Sequence, residues 1–193
     1  MAKKKYQFKP DKLTSSLLDK LYMTKQTRIK LLKWVLFSVM LLVASLLQDV
    51  ILCHMNIFGA TTDLVPCAIF LICMVLGTER SCIFALIASA MYQFSGTGPG
   101  YQAVASITIL CIIGAIFRQV YLRRDFFSCL LCAGVLTMAY EIIIFLFALL
   151  LGQTHLSRVL VSVFTGVLTL FAIPIFYPIA NAIDKIGGEL WRD

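Results

Sequence analysis

Long apolar runs, separated by short polar segments, fill the chain after a polar and basic N-terminal stretch. A bilayer-spanning helix needs about 20 apolar residues. The runs lack the alternation of apolar and polar positions that marks the strands of a membrane barrel, so the pattern predicts helices. The predicted spans cover residues 34–52, 63–77, 81–94, 102–117, 126–151 and 159–180.

The second and third predicted spans are shorter than a bilayer requires, and we expect neighbours to shield them or the segments to be re-entrant. Residues 1–30 precede the first span, and this stretch is too long for the charged start of a signal peptide. Leucines at helical spacing within residues 11–23 indicate either an amphipathic helix on the cytoplasmic leaflet or a disordered basic tail.

Composition supports a membrane protein, since 60% of the residues are hydrophobic and the mean hydropathy is +0.90. Soluble domains have roughly 45–50% apolar residues. We therefore predict an all-α integral membrane protein with one six-helix transmembrane domain over residues 31–185. A cytoplasmic basic segment over residues 1–30 precedes it, and a short cytoplasmic tail over residues 186–193 follows.

Charge predicts the orientation of the bundle. The net charge is +7, and ten of the 17 Lys and Arg residues lie within residues 1–33. With the N-terminus inside, sixteen of these cations face the cytoplasm and only Arg158 lies outside, as the positive-inside rule requires. Both termini are thus predicted to be cytoplasmic, and the basic residues are expected to meet anionic lipid rather than nucleic acid.

Signals for enzymes, cofactors and metals are weak in this sequence. The loop 96–100 is rich in glycine but lacks the Lys-Ser/Thr of a phosphate-binding loop. Cys129 and Cys132 have the spacing of a redox or zinc pair without a second pair, and His54 and His155 are isolated. We expect no catalysis, no cofactor and no metal site.

Glu141 lies well inside the fifth predicted span, where an ionisable side chain costs about 2.5–3.5 kcal/mol on insertion scales. It should therefore face the interior of the bundle or a cavity. The interpretations are a proton relay, a substrate contact, a polar clamp on a partner, or a protonated acid hydrogen-bonded to a neighbouring helix.

Gln48 lies at the end of the first span, and Asp63 opens the second, where its carboxylate is expected to cap the helix. Small residues recur four apart in the third span and permit close helix packing, either within the bundle or against a partner. These residues are Gly77, Ser81, Ala85 and Ser89. Pro174 and Pro178 are expected to kink the sixth span, with a transport hinge as the alternative.

Together these residues resemble the bacterial rod shape-determining protein MreD family. The resemblance rests on Gln48, on the stretch 58–64 (Phe-Gly-Ala-Thr-Thr-Asp-Leu), on the small-residue stripe of the third span, and on Pro174 to Tyr177. Thr62 replaces the family's proline, and Ser or Ala replaces most of its glycines. The resemblance implies a non-catalytic subunit of the lateral cell-wall synthesis machinery. It also implies an MreC-like single-span partner and, through it, MreB, RodA and a penicillin-binding protein.

The alternative is the substrate-binding subunit of an energy-coupling-factor vitamin transporter, a family of similar length with six helices. Its pocket would be lined from the outer helix ends by Gln48, Asp63, Gln93, Tyr101 and Gln102. A membrane scaffold of another family is the third interpretation.

Overall fold

The computed structural model describes residues 25–50, 52, 60–96, 98–121 and 126–186. The predicted amphipathic segment 11–23 lies outside these residues, as does the Phe-Gly pair at 58 and 59. Seven α-helices are formed, and no β-strand occurs within the described ranges, which confirms the all-α prediction. They are α1 (Lys25–Val50), α2 (Leu64–Leu76), α3 (Thr78–Phe94), α4 (Tyr101–Tyr121), α5 (Phe126–Leu150), α6 (Val159–Leu170) and α7 (Ile173–Lys185).

Three helices are long and apolar enough to cross a membrane, namely α1, α4 and α5. The bent pair formed by α6 and α7 makes a fourth candidate if it counts as one span. Large apolar side chains on α1 and α5 are exposed, among them Leu42 and Leu131. Such continuous apolar surface belongs in lipid rather than in water, so the protein is a membrane protein.

Helix α2 is the centre of the bundle and contacts α1, α3, α4, α5 and α7. Eleven of its 13 residues are buried, because its sequence is apolar on every side. At 1.5 Å per residue it is only about 20 Å long, against about 30 Å of hydrocarbon. This short helix is surrounded by other helices of the protein.

The last predicted span is not one continuous helix. Helices α6 and α7 are bent by 45° at a break around Phe171 and Ala172, ahead of Pro174. Thr165 and Thr169 each donate a hydroxyl hydrogen bond to the carbonyl four residues earlier, a pattern that bends helices. Pro174 cannot donate to Leu170, so the break is completed there. Pro178 lies inside α7.

The first and last helices meet at one end of the bundle. The Lys33 ammonium donates to the Asp184 backbone carbonyl at 2.6 Å and lies 3.7 Å from the Asp184 carboxylate. We call this end the Lys33 end. The opposite end, where α1 ends and α2 begins, is the Gln48 end.

Candidate functional site

The Gln48 side chain joins the end of α1 to the start of α2. Its amide Nε2 donates to Asp63 Oδ1 at 3.3 Å, and its Oε1 accepts the Val65 backbone N–H at 2.9 Å. The second bond satisfies one of the N–H groups that every helix leaves free in its first turn. The expected capping by the Asp63 carboxylate was wrong, because that side chain makes no capping bond and Gln48 supplies the acceptor instead.

The backbone of Asp63 is tied to the broken span. Its N–H donates to Thr169 Oγ1 at 3.2 Å, and that hydroxyl donates in turn to the Thr165 carbonyl at 2.7 Å. The threonines that bend α6 therefore also position the start of α2. Neither threonine is predicted from the sequence, although two threonines four residues apart in an apolar run can indicate a bend in a helix.

Glu141 points into the bundle from α5 and is 9% exposed. Its carboxyl group interacts electrostatically with that of Asp63, and Ser162 Oγ donates to the Glu141 backbone carbonyl at 3.4 Å. The predicted inward position of Glu141 is thus confirmed, and which of the four roles it has stays a prediction.

Two tyrosines lie against these carboxyl groups. Tyr92 from α3 and Tyr140 from α5 are 3% and 1% exposed, and both interact electrostatically with Asp63 and Glu141. Within the described chain, neither hydroxyl has a hydrogen-bond partner, although that of Tyr92 lies beside the Gln48 side chain. Gln48, Asp63, Tyr92, Tyr140 and Glu141 form what we call the carboxyl cluster.

Neither tyrosine of the carboxyl cluster is predicted from the sequence. Tyr140 directly precedes Glu141 in the sequence, which is a usable signal. Nothing local marks Tyr92, because it reaches the site from another helix.

The small residues of α3 pack inside the bundle. Ser81, Ala85 and Ser89 are all 0% exposed. The Ser89 hydroxyl lies 3.5 Å from that of Thr108 on α4, and the Cys73 thiol of α2 donates to the Ser81 carbonyl at 3.6 Å. These positions bring α3 close to its neighbours, and they are not available to another protein.

The remaining sequence-selected residues lie apart from the carboxyl cluster. Gly77 forms the turn between α2 and α3 with a φ of +85°, a conformation that favours glycine. Tyr177 on α7 packs edge-to-face on Phe126, with ring centroids 4.9 Å apart. Pro174 lies in the first turn of α7. Neither Pro174 nor Tyr177 belongs to the carboxyl cluster.

Gln93 and Gln102, two of the polar residues expected at the outer helix ends, make hydrogen bonds to the loop between α3 and α4. Gln93 Oε1 accepts the Gly100 N–H at 3.3 Å, and Gln102 donates to the Pro99 carbonyl at 3.1 Å. Both therefore brace the α3–α4 loop. Tyr101 is 86% exposed.

Among the described residues, no group of three or more His, Cys, Asp or Glu side chains could hold a metal ion. Cys129 and Cys132 are buried, and the Cys129 thiol contacts the sulfur of Met74 at 3.9 Å. These cysteines pack as apolar side chains.

An open groove of about 520 Å³ follows one face of α5. Its walls are apolar and come from Leu130, Leu131, Gly134, Val135, Met138, Ala139, Ile142 and Leu170. The α5 positions recur at helical spacing, so the groove is a shallow depression along one face of α5, with Leu170 of α6 beside it.

No protein-family model, curated protein or solved structure matches this chain.

Proposed function

We propose that this protein is a non-catalytic, MreD-like membrane subunit of the bacterial machinery for cell shape and lateral peptidoglycan synthesis. It acts by binding other membrane proteins in the cytoplasmic membrane. The partner that it contacts is an MreC-like single-span protein, and through it the subunit is linked to MreB, RodA and a penicillin-binding protein.

The observation that carries the proposal is the 3.3 Å hydrogen bond between Gln48 and Asp63. These are two polar residues on which the family resemblance rests, and they come from helices separated by a loop. Their contact gives the resemblance a structural purpose, because together they anchor the start of the buried helix α2. A polar anchor of this kind suits a scaffold, because Gln48 hydrogen-bonds to the backbone of the protein itself.

The proposed topology has six crossings and both termini in the cytoplasm. In this topology α1, α4 and α5 each cross the membrane, and α6 with α7 forms one bent crossing. The shorter helices α2 and α3 are the other two crossings, and the surrounding helices shield them from lipid. The contact between Lys33 and Asp184 supports an even number of crossings, because it joins the first and last helices at one end. A reporter fused after Asp193 should be active only as a cytoplasmic reporter, and a periplasmic signal would contradict this topology.

The α5 groove is the proposed seat of the single-span partner. A partner helix offers an apolar stripe at the same spacing as the groove. Membrane helices associate through such packing, since lipid supplies no hydrophobic drive between them. We therefore propose a membrane helix, and not a soluble ligand, as the occupant of the groove.

A bulky side chain in the groove tests this proposal. Val135 is 58% exposed on α5, and Val39 is 51% exposed on the lipid face of α1, so Val135→Trp and Val39→Trp are matched changes. Capture of the MreC-like protein from solubilised membranes should fall about tenfold with Val135→Trp and stay unchanged with Val39→Trp. Equal capture by both variants contradicts the groove as the seat. The absence of any MreC-like protein in the wild-type capture contradicts the function.

The second candidate is the vitamin-binding subunit, and the observation that favours it is the pair of tyrosine hydroxyls in the carboxyl cluster. Buried hydroxyls without partners are groups that a polar ligand satisfies. Mass spectrometry of the solvent extract from freshly purified protein separates the two functions. A stoichiometric vitamin supports the second candidate and counts against the first.

A further inference from the structure

Two cations lie at the Lys33 end of α1 and α3, close to a contact between aromatic rings. Trp34 of α1 and Phe84 of α3 meet edge-to-face, with ring centroids 5.8 Å apart. Lys30 lies four residues before Trp34, and therefore one turn from it on the same face of α1. Arg80 has the same spacing from Phe84 on α3. Both helices begin at the Lys33 end, so the two cations lie on the same side of the ring contact. We call these four residues the α1–α3 seam.

The helix ends around the α1–α3 seam carry an excess of positive charge. Among the described side chains, the starts of α1 and α3 and the end of α7 hold five cations and two carboxylates. The cations are Arg28, Lys30, Lys33, Arg80 and Lys185, and the carboxylates are Glu79 and Asp184. Asp184 lies 3.7 Å from the Lys33 ammonium and is therefore already paired. This end of the bundle thus presents a net positive charge, which attracts anionic lipid.

Apolar surface continues from the α1–α3 seam toward the Gln48 end. Val39 on α1 and Ile87 on α3 are exposed, so both helices offer lipid-facing surface beyond the ring contact. Trp34 is half-buried between the cations and this apolar surface. Tryptophan is enriched at the level of the lipid headgroups. The order of charge, aromatic ring and apolar surface along the two helices matches the order of headgroup and acyl chains in a phospholipid.

We propose that the α1–α3 seam binds an anionic phospholipid, whose phosphate contacts the Lys30 ammonium and the Arg80 guanidinium. Arginine matches phosphate through two parallel N–H donors, and lysine adds a point charge. The acyl chains follow the apolar surface of α1 and α3, and the Trp34 ring lies beside them. A zwitterionic lipid has the same phosphate but no net charge, so the excess of cations favours the anionic lipid. Binding needs no protein partner, so the lipid site is independent of the proposed function.

Trp34 itself reports on the bound lipid, because the chain has one other tryptophan, Trp191. The full chain with Trp191→Phe is reconstituted in phosphatidylcholine vesicles that contain a minor fraction of lipid brominated on its acyl chains. The brominated lipid is either phosphatidylglycerol or phosphatidylcholine, and quenching of Trp34 fluorescence gives their relative affinities. Each cation near an anionic headgroup strengthens binding about fivefold, so two cations should give about a twentyfold preference for phosphatidylglycerol.

Four variants of this parent chain make the test specific. Lys30→Gln and Arg80→Gln should each lower the preference about fivefold. Arg80→Lys keeps the charge and should keep most of the preference, which separates loss of charge from loss of folding. Arg28→Gln is the matched control, because Arg28 lies two residues before Lys30 and faces another side of α1. Its preference should stay within about twofold of that of the parent.

Equal quenching by the two brominated lipids in the parent chain overturns the proposal. It is also overturned if Arg28→Gln lowers the preference as much as Lys30→Gln, because diffuse surface charge would then explain the binding. Loss of the preference in inorganic phosphate at constant ionic strength would assign the seam to free phosphate instead of lipid. None of these outcomes affects capture of the MreC-like protein, so failure of the lipid site and failure of the proposed function are distinguishable.

Discussion

At its Gln48 end, helix α2 is tied to two neighbouring helices by hydrogen bonds of buried polar groups, through Gln48 and Thr169. At its Lys33 end, the same helix is held by the glycine turn at Gly77 and by sulfur contacts of Cys73 and Met74. Hydrogen bonds are directional and sulfur contacts are adaptable. Because α2 is apolar on every side, its side chains do not favour one rotation about the helix axis or one position along it. The hydrogen bonds at the Gln48 end therefore determine both.

The largest expected effect comes from Gln48→Leu, which removes the polar anchor. The change leaves the Val65 N–H and the Asp63 carboxyl without their partner, and a buried unsatisfied group costs about 1–3 kcal/mol. We expect a loss of about 3 kcal/mol in the free energy of unfolding, measured by denaturant titration in mixed micelles. Gln153→Leu, at an exposed position, is the control and should change stability by less than about 0.5 kcal/mol. Similar losses in both variants would contradict the anchoring role.

Ser89→Leu tests packing between the two ends. The side chain is 0% exposed where α3 meets Thr108 of α4, so leucine forces the helices apart. Overpacking typically costs about 1–3 kcal/mol, and we expect about 2 kcal/mol in the same titration. Ala90→Leu, at the next, partly exposed position, is the control. If Ser89→Leu were harmless, the small-residue stripe would not be an internal packing surface.

Gly77→Ala tests the turn that ends α2. Because φ is +85° there, alanine is strained by about 1–2 kcal/mol, although nothing lies within 4 Å of the added carbon. The loss should appear as faster hydrogen exchange of the last turn of α2, with the Gln48 end unchanged. Gly152→Ala, at a φ of +70° in the turn after α5, should lose similar stability without affecting α2. Exchange that rises equally along α2 would show that its two ends are not held independently.

Lys33→Met gives the smallest expected effect. Methionine keeps the apolar length of the side chain, and Asp184 is 30% exposed, so water replaces the lost partner. We expect a loss of about 0.5–1 kcal/mol, checked in the micelle titration against Lys30→Met on the same helix. A loss as large as that of Gln48→Leu would reverse the comparison between the two ends.

Local sequence patterns were enough for the helices themselves. The apolar runs predict helices in the places where α1 to α5 are found, because transfer into lipid is a property of composition over about 20 residues. The inward orientation of Glu141 in α5 was also predictable, because an ionisable side chain in a membrane helix is tolerated when it faces the interior of the protein. The family resemblance includes Gln48 and Asp63, and the structure shows a hydrogen bond between their side chains.

Tertiary structure decided which of these residues meet. Tyr92 reaches the carboxyl cluster from another helix, and no local pattern marks it. Thr169 of α6 accepts a hydrogen bond from the Asp63 N–H across 106 residues. The break at Phe171 and Ala172 comes before Pro174, because the hydroxyl hydrogen bond of Thr169 to the Thr165 carbonyl already bends the end of α6. Lys33 finds a partner in Asp184 across 151 residues. Composition and periodicity act over one helix, whereas hydrogen bonds and ion pairs depend on which helices become neighbours, and only packing determines that.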